Sequence, residues 1–356
     1  MTELDRIRQG EDLPVDFASI EKSLSEMWRN ENDGSADAVT RAALWNVIAH
    51  TNNDGDRNTA TETLGRASAT VPQRSIVIRS ALDGPAELNS WISANCHIFS
   101  GKRQVCSEEI SIVAGGHRVR DVPSLVNGLL IPELPVATWW IGDLPSQQEE
   151  YVQALLAPAD RLIVDSVHFD AADDLRLLSG VAAGTQTIPA DLNWIRMEEW
   201  RLATASVFDH PVMRGQLPHI RKVRVVYAGE GGLFGEQIEA FYYAAWLSGQ
   251  SRHVMGEGEE DVQYRFDRAG GKQTGSLLQV EIELKGGGRI EIGMNDEGNA
   301  ILATPSMIDL SQPTVTSYNQ RPPSALIVRQ LSARQEDPVF HRALASASTI
   351  ASSRSK

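Results

Sequence analysis

The stretch Pro132-Glu-Leu-Pro-Val-Ala-Thr-Trp-Trp-Ile-Gly-Asp-Leu-Pro145 constrains the fold of this chain more than any other. An apolar run from Val136 to Ile141, rich in β-branched and aromatic residues, lies between prolines and closes on Gly142-Asp143. That is the pattern of a buried strand. Neighbouring residues of a strand point to opposite faces, so Trp139 and Trp140 cannot share one pocket. Either both faces of the strand are covered, or one indole is left for a partner. Ser146 to Leu156 has helical spacing, and Arg161-Leu-Ile-Val-Asp-Ser166 reads as a second strand. Strand, helix and strand within about 30 residues make a βαβ unit, which joins parallel strands by a right-handed crossover.

The rest of the chain is arranged around that unit. Residues 1–34 are polar and acidic, with one amphipathic segment from Phe17 to Trp28, and read as a leader that is partly flexible. Ser35 is placed to cap a helix through Ala43, Leu44, Val47 and Ile48, and a second helix is expected over 59–69, ahead of Pro72. Ser75–Arg79 reads as a strand. Trp91–Phe99 and Gln104–Val113 flank Ser100-Gly-Lys-Arg103 as a hairpin. Helices are expected over 119–129, 171–182 and 193–208. The two prolines and the glycine between Asp209 and Pro218 suggest a boundary. Beyond it come a strand over 223–227, a helix over 235–247, a meander over 277–284, 289–294 and 300–304, a strand over 324–331 and a terminal helix over 338–350. The expected architecture is an α/β mixed-sheet domain over 35–212, followed by a smaller α+β domain over 213–356 with an antiparallel meander.

Composition enters through what it excludes. A formal charge of -14 over 356 residues argues against nucleic acid or an anionic membrane surface as the main partner. No apolar run reaches the roughly 20 residues that span a bilayer. The first residues lack a basic segment followed by an apolar one, and two cysteines in so long a chain suit a reducing compartment, so a cytoplasmic location is expected.

The chemical signals are thin. Gly229-Glu-Gly-Gly-Leu-Phe-Gly235 follows a strand and opens a helix, as a phosphate-binding loop does, but Glu230 sets a negative charge beside any phosphate and Phe234 stands where the last glycine belongs. A structural turn is the better reading. Asp143 and Asp165 close the strands of the βαβ unit, at the edge where open α/β sheets bind ligands. Ser166 and His168 stand nearby without a nucleophile elbow, so turn and cap duty is the better reading there too. The histidines are scattered and no metal or cofactor is expected. A hairpin centred on Gly101 sets Cys96 opposite Cys106, which makes them a possible redox pair; two reduced, half-buried thiols are the plainer reading. Trp194, Trp200 and Arg201 fall on one helical segment. Tryptophan and arginine are what interface centres favour, but both indoles can equally pack inside against a sheet.

Three of these blocks carry a resemblance: Leu134–Gly142, Asp160–Ser166 and Asp191–Arg201, in that order. Together with Pro72–Ile78 and Gln104–Ile112 they resemble the OpcA family, the glucose-6-phosphate dehydrogenase assembly proteins. The family pattern often has a basic residue after the paired tryptophans, where this chain has Ile141. The resemblance implies a non-catalytic protein that binds the oligomeric glucose-6-phosphate dehydrogenase and promotes its active assembly. On that reading Trp139, Trp140, Trp194, Trp200 and Arg201 are the candidate partner contacts. The competing reading is a binder or enzyme of a small phosphorylated metabolite, using the carboxyl edge of the sheet or the Gly229 loop.

Overall fold

A computed structural model of the chain describes residues 8–9, 13–34, 39–99, 103–142, 144, 150–255, 262–271, 273–307, 311–333 and 335–354. In order, the elements are β1 (Arg8–Gln9), β2 (Leu13–Val15), α1 (Ile20–Gly34), β3 (Val39–Arg41), β4 (Trp45–Thr51), α2 (Asp54–Ala67), β5 (Gln73–Ala81), β6 (Glu87–Phe99) and β7 (Arg103–Gly115). Then come α3 (Val122–Leu129), β8 (Val136–Trp140), α4 (Glu150–Leu156), β9 (Arg161–Val164), α5 (Ala172–Gly184), β10 (Ile188–Asp191), α6 (Leu192–Arg196), α7 (Glu198–Asp209) and α8 (Pro211–Arg214). The last are β11 (Ile220–Ala228), α9 (Ile238–Met255), β12 (Gln263–Ala269), β13 (Leu277–Leu284), β14 (Arg289–Met294), β15 (Ala300–Ser306), β16 (Thr314–Ser317), α10 (Pro323–Ser332) and α11 (Pro338–Arg354). They gather into two compact units: 1–164 with 185–190 and 322–335, and 165–184 with 191–321 and 336–356. The divide expected at 212/213 falls inside the second unit. No helix among the described residues is long and apolar enough to cross a membrane.

The first unit holds a ten-stranded mixed sheet in the order β1-β6-β7-β5-β4-β8-β9-β10, with β2 also beside β6 and β3 beside β7. The run β7-β5-β4-β8-β9 is parallel throughout, and β6 returns antiparallel along β7. The helix expected through Ala43 to Ile48 is a strand, β4. Its residues from Asn46 to Thr51 are all buried, between β5 on one side and β8 on the other. A central parallel strand is covered on both faces and reads as a continuous run, so the apolar positions imitated helical spacing. The next helix starts earlier than expected, because Asn53 caps it by accepting from the Asp56 amide at 2.8 Å. The strand expected over 324–331 is α10. Pro323 takes its first position, and Leu326, Ile327, Gln330 and Leu331 make a helical buried face.

The amphipathic segment within 1–34 is α1, with Ile20, Leu24 and Trp28 buried one turn apart. Its anchor is an ionic cluster. Arg74 on β5 and Glu108 on β7 are register neighbours, and both side chains are almost wholly buried. Glu108 accepts from Arg74 Nε at 2.8 Å, from Arg41 Nη2 at 3.0 Å and from Trp28 Nε1 at 2.7 Å. Arg74 Nη1 reaches Glu21 and the Leu129 carbonyl, each at 2.6 Å. Charge and hydrogen bonds together satisfy what burial would otherwise penalise. Beside this cluster Trp28 packs with Ala94, Cys106 and Cys96.

The second unit holds a six-stranded sheet in the order β12-β11-β13-β14-β15-β16. β11 and β12 are parallel, joined through α9, and every other pair is antiparallel. Strands β13 to β15 are the meander read from the sequence, alternating buried Val280, Ile282, Ile290 and Ile292 with polar outward residues.

Candidate functional site

The sheet order of the first unit singles out one location. Crossovers that leave β4 lead to β5 on one side, and those that leave β8 lead to β9 on the other. The direction reverses between β4 and β8, and a crevice outside the carboxyl ends of such strands is where this topology binds ligands. Here the place is filled by the chain's own side chains. His50 near the end of β4 stacks on Trp140 at the end of β8, with ring centroids 4.0 Å apart, and the ring of Tyr151 from α4 lies 5.8 Å from the imidazole. Ser80, near the end of β5, lies 2.8 Å from His50 Nε2.

A serine against a histidine invites comparison with a nucleophile and its base. The comparison fails on the other imidazole nitrogen, Nδ1, which is buried without a hydrogen-bond partner among the described residues and so lacks, among them, the group that would orient a base. Burial pulls the His50 pKa down to about 3, so the ring is the neutral imidazole at ordinary pH and does not carry a second proton there. The helix N-terminus that would receive a dinucleotide's pyrophosphate is also taken. Asn53 caps α2, Asp54 and Asp56 occupy its first turn, and the loop before it, Thr51-Asn-Asn-Asp54, has no glycine. These residues do not fit a dinucleotide. Asp143, the other carboxylate expected at this edge, lies outside the described residues.

Two further sequence candidates resolve into structure. The amides of the Gly229–Gly235 loop do form an anion nest, and Glu236 fills it: Gly231 N and Glu230 N donate to its carboxylate at 3.1 and 3.2 Å. Ser166 is buried while His168 is exposed, so the two do not form a pair.

The second unit gathers a buried carboxylate cluster that spacing along the chain does not reveal. Asp165 and Arg196 make a two-pronged ion pair, both contacts at 2.6 Å. Asp191 accepts from Tyr242 Oη at 2.7 Å, Asn193 N at 2.9 Å and Ser166 N at 3.2 Å. Burial lifts its carboxyl to about 6 against those hydrogen bonds. Glu239, at the start of α9, accepts from Leu277 N at 3.1 Å, and burial lifts it to about 8 although Arg196 pulls the other way. Above this cluster is a cavity of about 20 Å³, lined by Arg196, Glu199, Glu239, Tyr318 and Arg321 among others. That is room for one water. Arg321 is held by Glu199, by Glu198 at 3.0 Å and by the Ile195 carbonyl at 3.2 Å. Both guanidiniums of the cavity are therefore already matched by carboxylates, and neither is free to meet a phosphate.

The tryptophans are placed as follows. Trp139 and Trp140 are 5% and 4% exposed, and Trp194 and Trp200 are 3% and 2% exposed. Of the two readings the sequence leaves open for these indoles, core packing and partner contact, their burial in the isolated chain fits the first. Arg201 lies 3.5 Å over the Trp194 ring, and Trp194 Nε1 donates to Asp337 at 3.0 Å, where Asp337 also caps α11. Burial lowers the Arg201 pKa to about 10 despite Asp337, Glu198 and Glu199 nearby. Arg201→Met is expected to lower stability by about 1–2 kcal/mol, the range of a desolvated cation–π contact. Urea unfolding followed by tryptophan fluorescence measures it, and an unchanged midpoint would reduce Arg201 to a bystander. The paired strand positions of Cys96 and Cys106 are as the hairpin predicts, but the sulfurs are bonded at 2.03 Å, so the reduced reading gives way to a disulfide. The Gly101 turn between them lies outside the described residues.

Comparison with known proteins adds the family. A family model described as the glucose-6-phosphate dehydrogenase subunit N-terminal domain matches residues 65–179, and one described as its C-terminal domain matches 188–344. The OxPP cycle protein OpcA of Synechococcus elongatus is 26% identical over 70% of this chain and 54% of its own length. Its namesake from Nostoc punctiforme is 31% identical over 45% of this chain and 34% of its own length, so this chain spans about half or less of these relatives. An oxidoreductase from Sinorhizobium meliloti covers 88% of the chain and 98% of its own at 11% identity, with a TM-score of 0.47, a likeness that carries no functional meaning. The chain belongs to the OpcA family of glucose-6-phosphate dehydrogenase assembly proteins.

Proposed function

We propose that this protein is a non-catalytic partner of glucose-6-phosphate dehydrogenase that binds the enzyme's oligomer and favours its active state. The observation that carries the reading is the occupied switch point of the first unit. A sheet of this topology presents its ligand crevice between β4 and β8, and here His50, Trp140 and Tyr151 stand in that position beside a helix N-terminus capped by Asn53 and made acidic by Asp54 and Asp56. Family membership supports the choice of partner. Activation would follow from differential affinity: binding the active dehydrogenase more tightly than the inactive one shifts the population by that difference.

The test is the dehydrogenase rate against glucose-6-phosphate concentration, with enzyme from the same cell and increasing amounts of this protein. The expected result is a lowered apparent KM or a raised rate that saturates, with co-elution of both proteins on a sizing column. An unchanged rate curve together with separate elution would overturn the proposal.

A further inference from the structure

The two edges of the six-stranded sheet are unlike. β12, at one edge, carries Arg265, Asp267 and Arg268, the kind of charges that keep an exposed strand from pairing with another chain. β16, at the other, reads Thr314-Val-Thr-Ser317, with no charge and no proline, in unbroken register with β15. Val315 is 66% exposed, more than any other large apolar side chain among the described residues. α7 packs against β16 and exposes Leu202, and α8, which packs on α7, exposes Val212. An edge strand without charge or proline that exposes an apolar side chain is a template for strand addition.

We propose that β16 is a self-association edge, pairing antiparallel with β16 of a second copy of this chain. The strand's own sequence selects that occupant. Thr314-Val-Thr316 reads the same in both directions, so a register centred on Val315 sets Val315 against its counterpart and Thr314 against Thr316 of the other copy. Cross-strand β-branched and threonine pairs are favourable ones. A two-fold contact must be complementary to itself. Charge points the same way. Each copy carries a net charge of -14, and β16 is a place where two such chains meet without opposing like charges. Because no ion pair holds the edge among the described residues, added salt screens the overall repulsion and strengthens the dimer.

Sedimentation of the 356-residue protein alone, at rising concentration and at low and high salt, tests this without the dehydrogenase and so stands apart from the activator reading. The expected result is a dimer of the 39.0 kDa chain that tightens with salt. Val315→Lys should weaken it at least about tenfold, which corresponds to about 1.4 kcal/mol. At a concentration low enough that both are monomeric, its thermal unfolding should match the wild type. Leu44→Lys, at another exposed apolar position, should leave the dimer intact. A wild type that stays monomeric at every concentration, or a Val315→Lys variant that dimerises as tightly, would overturn the proposal. So would a monomeric wild type whose dehydrogenase binding is lost in Val315→Lys, which would assign the edge to the enzyme instead.

Discussion

Replacing Glu108 by alanine is expected to lower the stability of the first unit by about 3–5 kcal/mol, the usual loss when one member of a buried ion pair is removed. The reason is what remains. Arg74 would keep its buried position beside an empty site, with only Glu21 and the Leu129 carbonyl as acceptors among the described residues, and Trp28 Nε1 would lose its acceptor. Because Glu108 accepts from both Trp28 and Arg41, the loss should appear locally as faster amide exchange across α1 and β3. Hydrogen exchange and urea unfolding measure the two effects. The double substitution Arg74→Met with Glu108→Leu removes both charges and should recover most of the loss, since no buried charge is then stranded. Equal loss in the single and double variants would place the energy in packing rather than in the ion pair.

The second large effect concerns pH. Burial raises Glu239 to about 8 in the folded chain, against an ordinary value of 4.5. A raised carboxyl favours the folded state fully below its unfolded value, and that contribution is lost as pH rises through the folded value. Stability should therefore fall between about pH 4.5 and 8 on account of this residue. Glu239→Gln keeps an oxygen that can accept from Leu277 N and removes the titration. It is expected to match the wild type near pH 4.5 and to exceed it progressively, by up to about 5 kcal/mol at pH 9, since each pH unit between the unfolded and folded values is worth about 1.36 kcal/mol. Asp191, raised to about 6, adds loss of the same sign through a lower window and should persist in the variant. His50 acts oppositely. Its pKa is lowered to about 3, so its contribution is lost as pH falls from 6.5 towards 3. Thermal unfolding of both proteins across pH 4–9 measures these windows, and parallel curves for wild type and Glu239→Gln would show that Glu239 stays ionised in the fold.

The activator reading and the self-association edge are compatible. One concerns what the chain does to the dehydrogenase, and the other how many copies of the chain act together. If the chain both dimerises and binds the dehydrogenase as proposed, linked binding raises overall affinity when the geometry lets two sites engage.

The features legible in the sequence were local and periodic. The buried strand between Pro135 and Gly142, its crossover to Arg161–Val164, the hairpin that sets Cys96 opposite Cys106, and the meander of β13 to β15 all follow from alternation, turn residues and spacing. The OpcA resemblance, carried by blocks such as Leu134–Gly142 and Asp191–Arg201, was legible for the same reason: those residues are contiguous. Periodicity misled at β4 and α10, where a strand covered on both faces and a short helix each show apolar runs that fit either period. His50 was missed with β4, although the Asn52-Asn53-Asp54 cap signature marks where that strand ends.

The remainder was settled in three dimensions. Whether Trp140 faces a partner or stacks on His50 depends on two strands far apart in the chain. Whether the Gly229 loop takes a phosphate depends on Glu236 turning back into it, and whether Asp165 is free depends on Arg196 reaching it from α6. Burial and charge pairing are properties of what surrounds a side chain in space. Spacing along the chain fixes which face of an element a residue takes, but not what stands opposite that face.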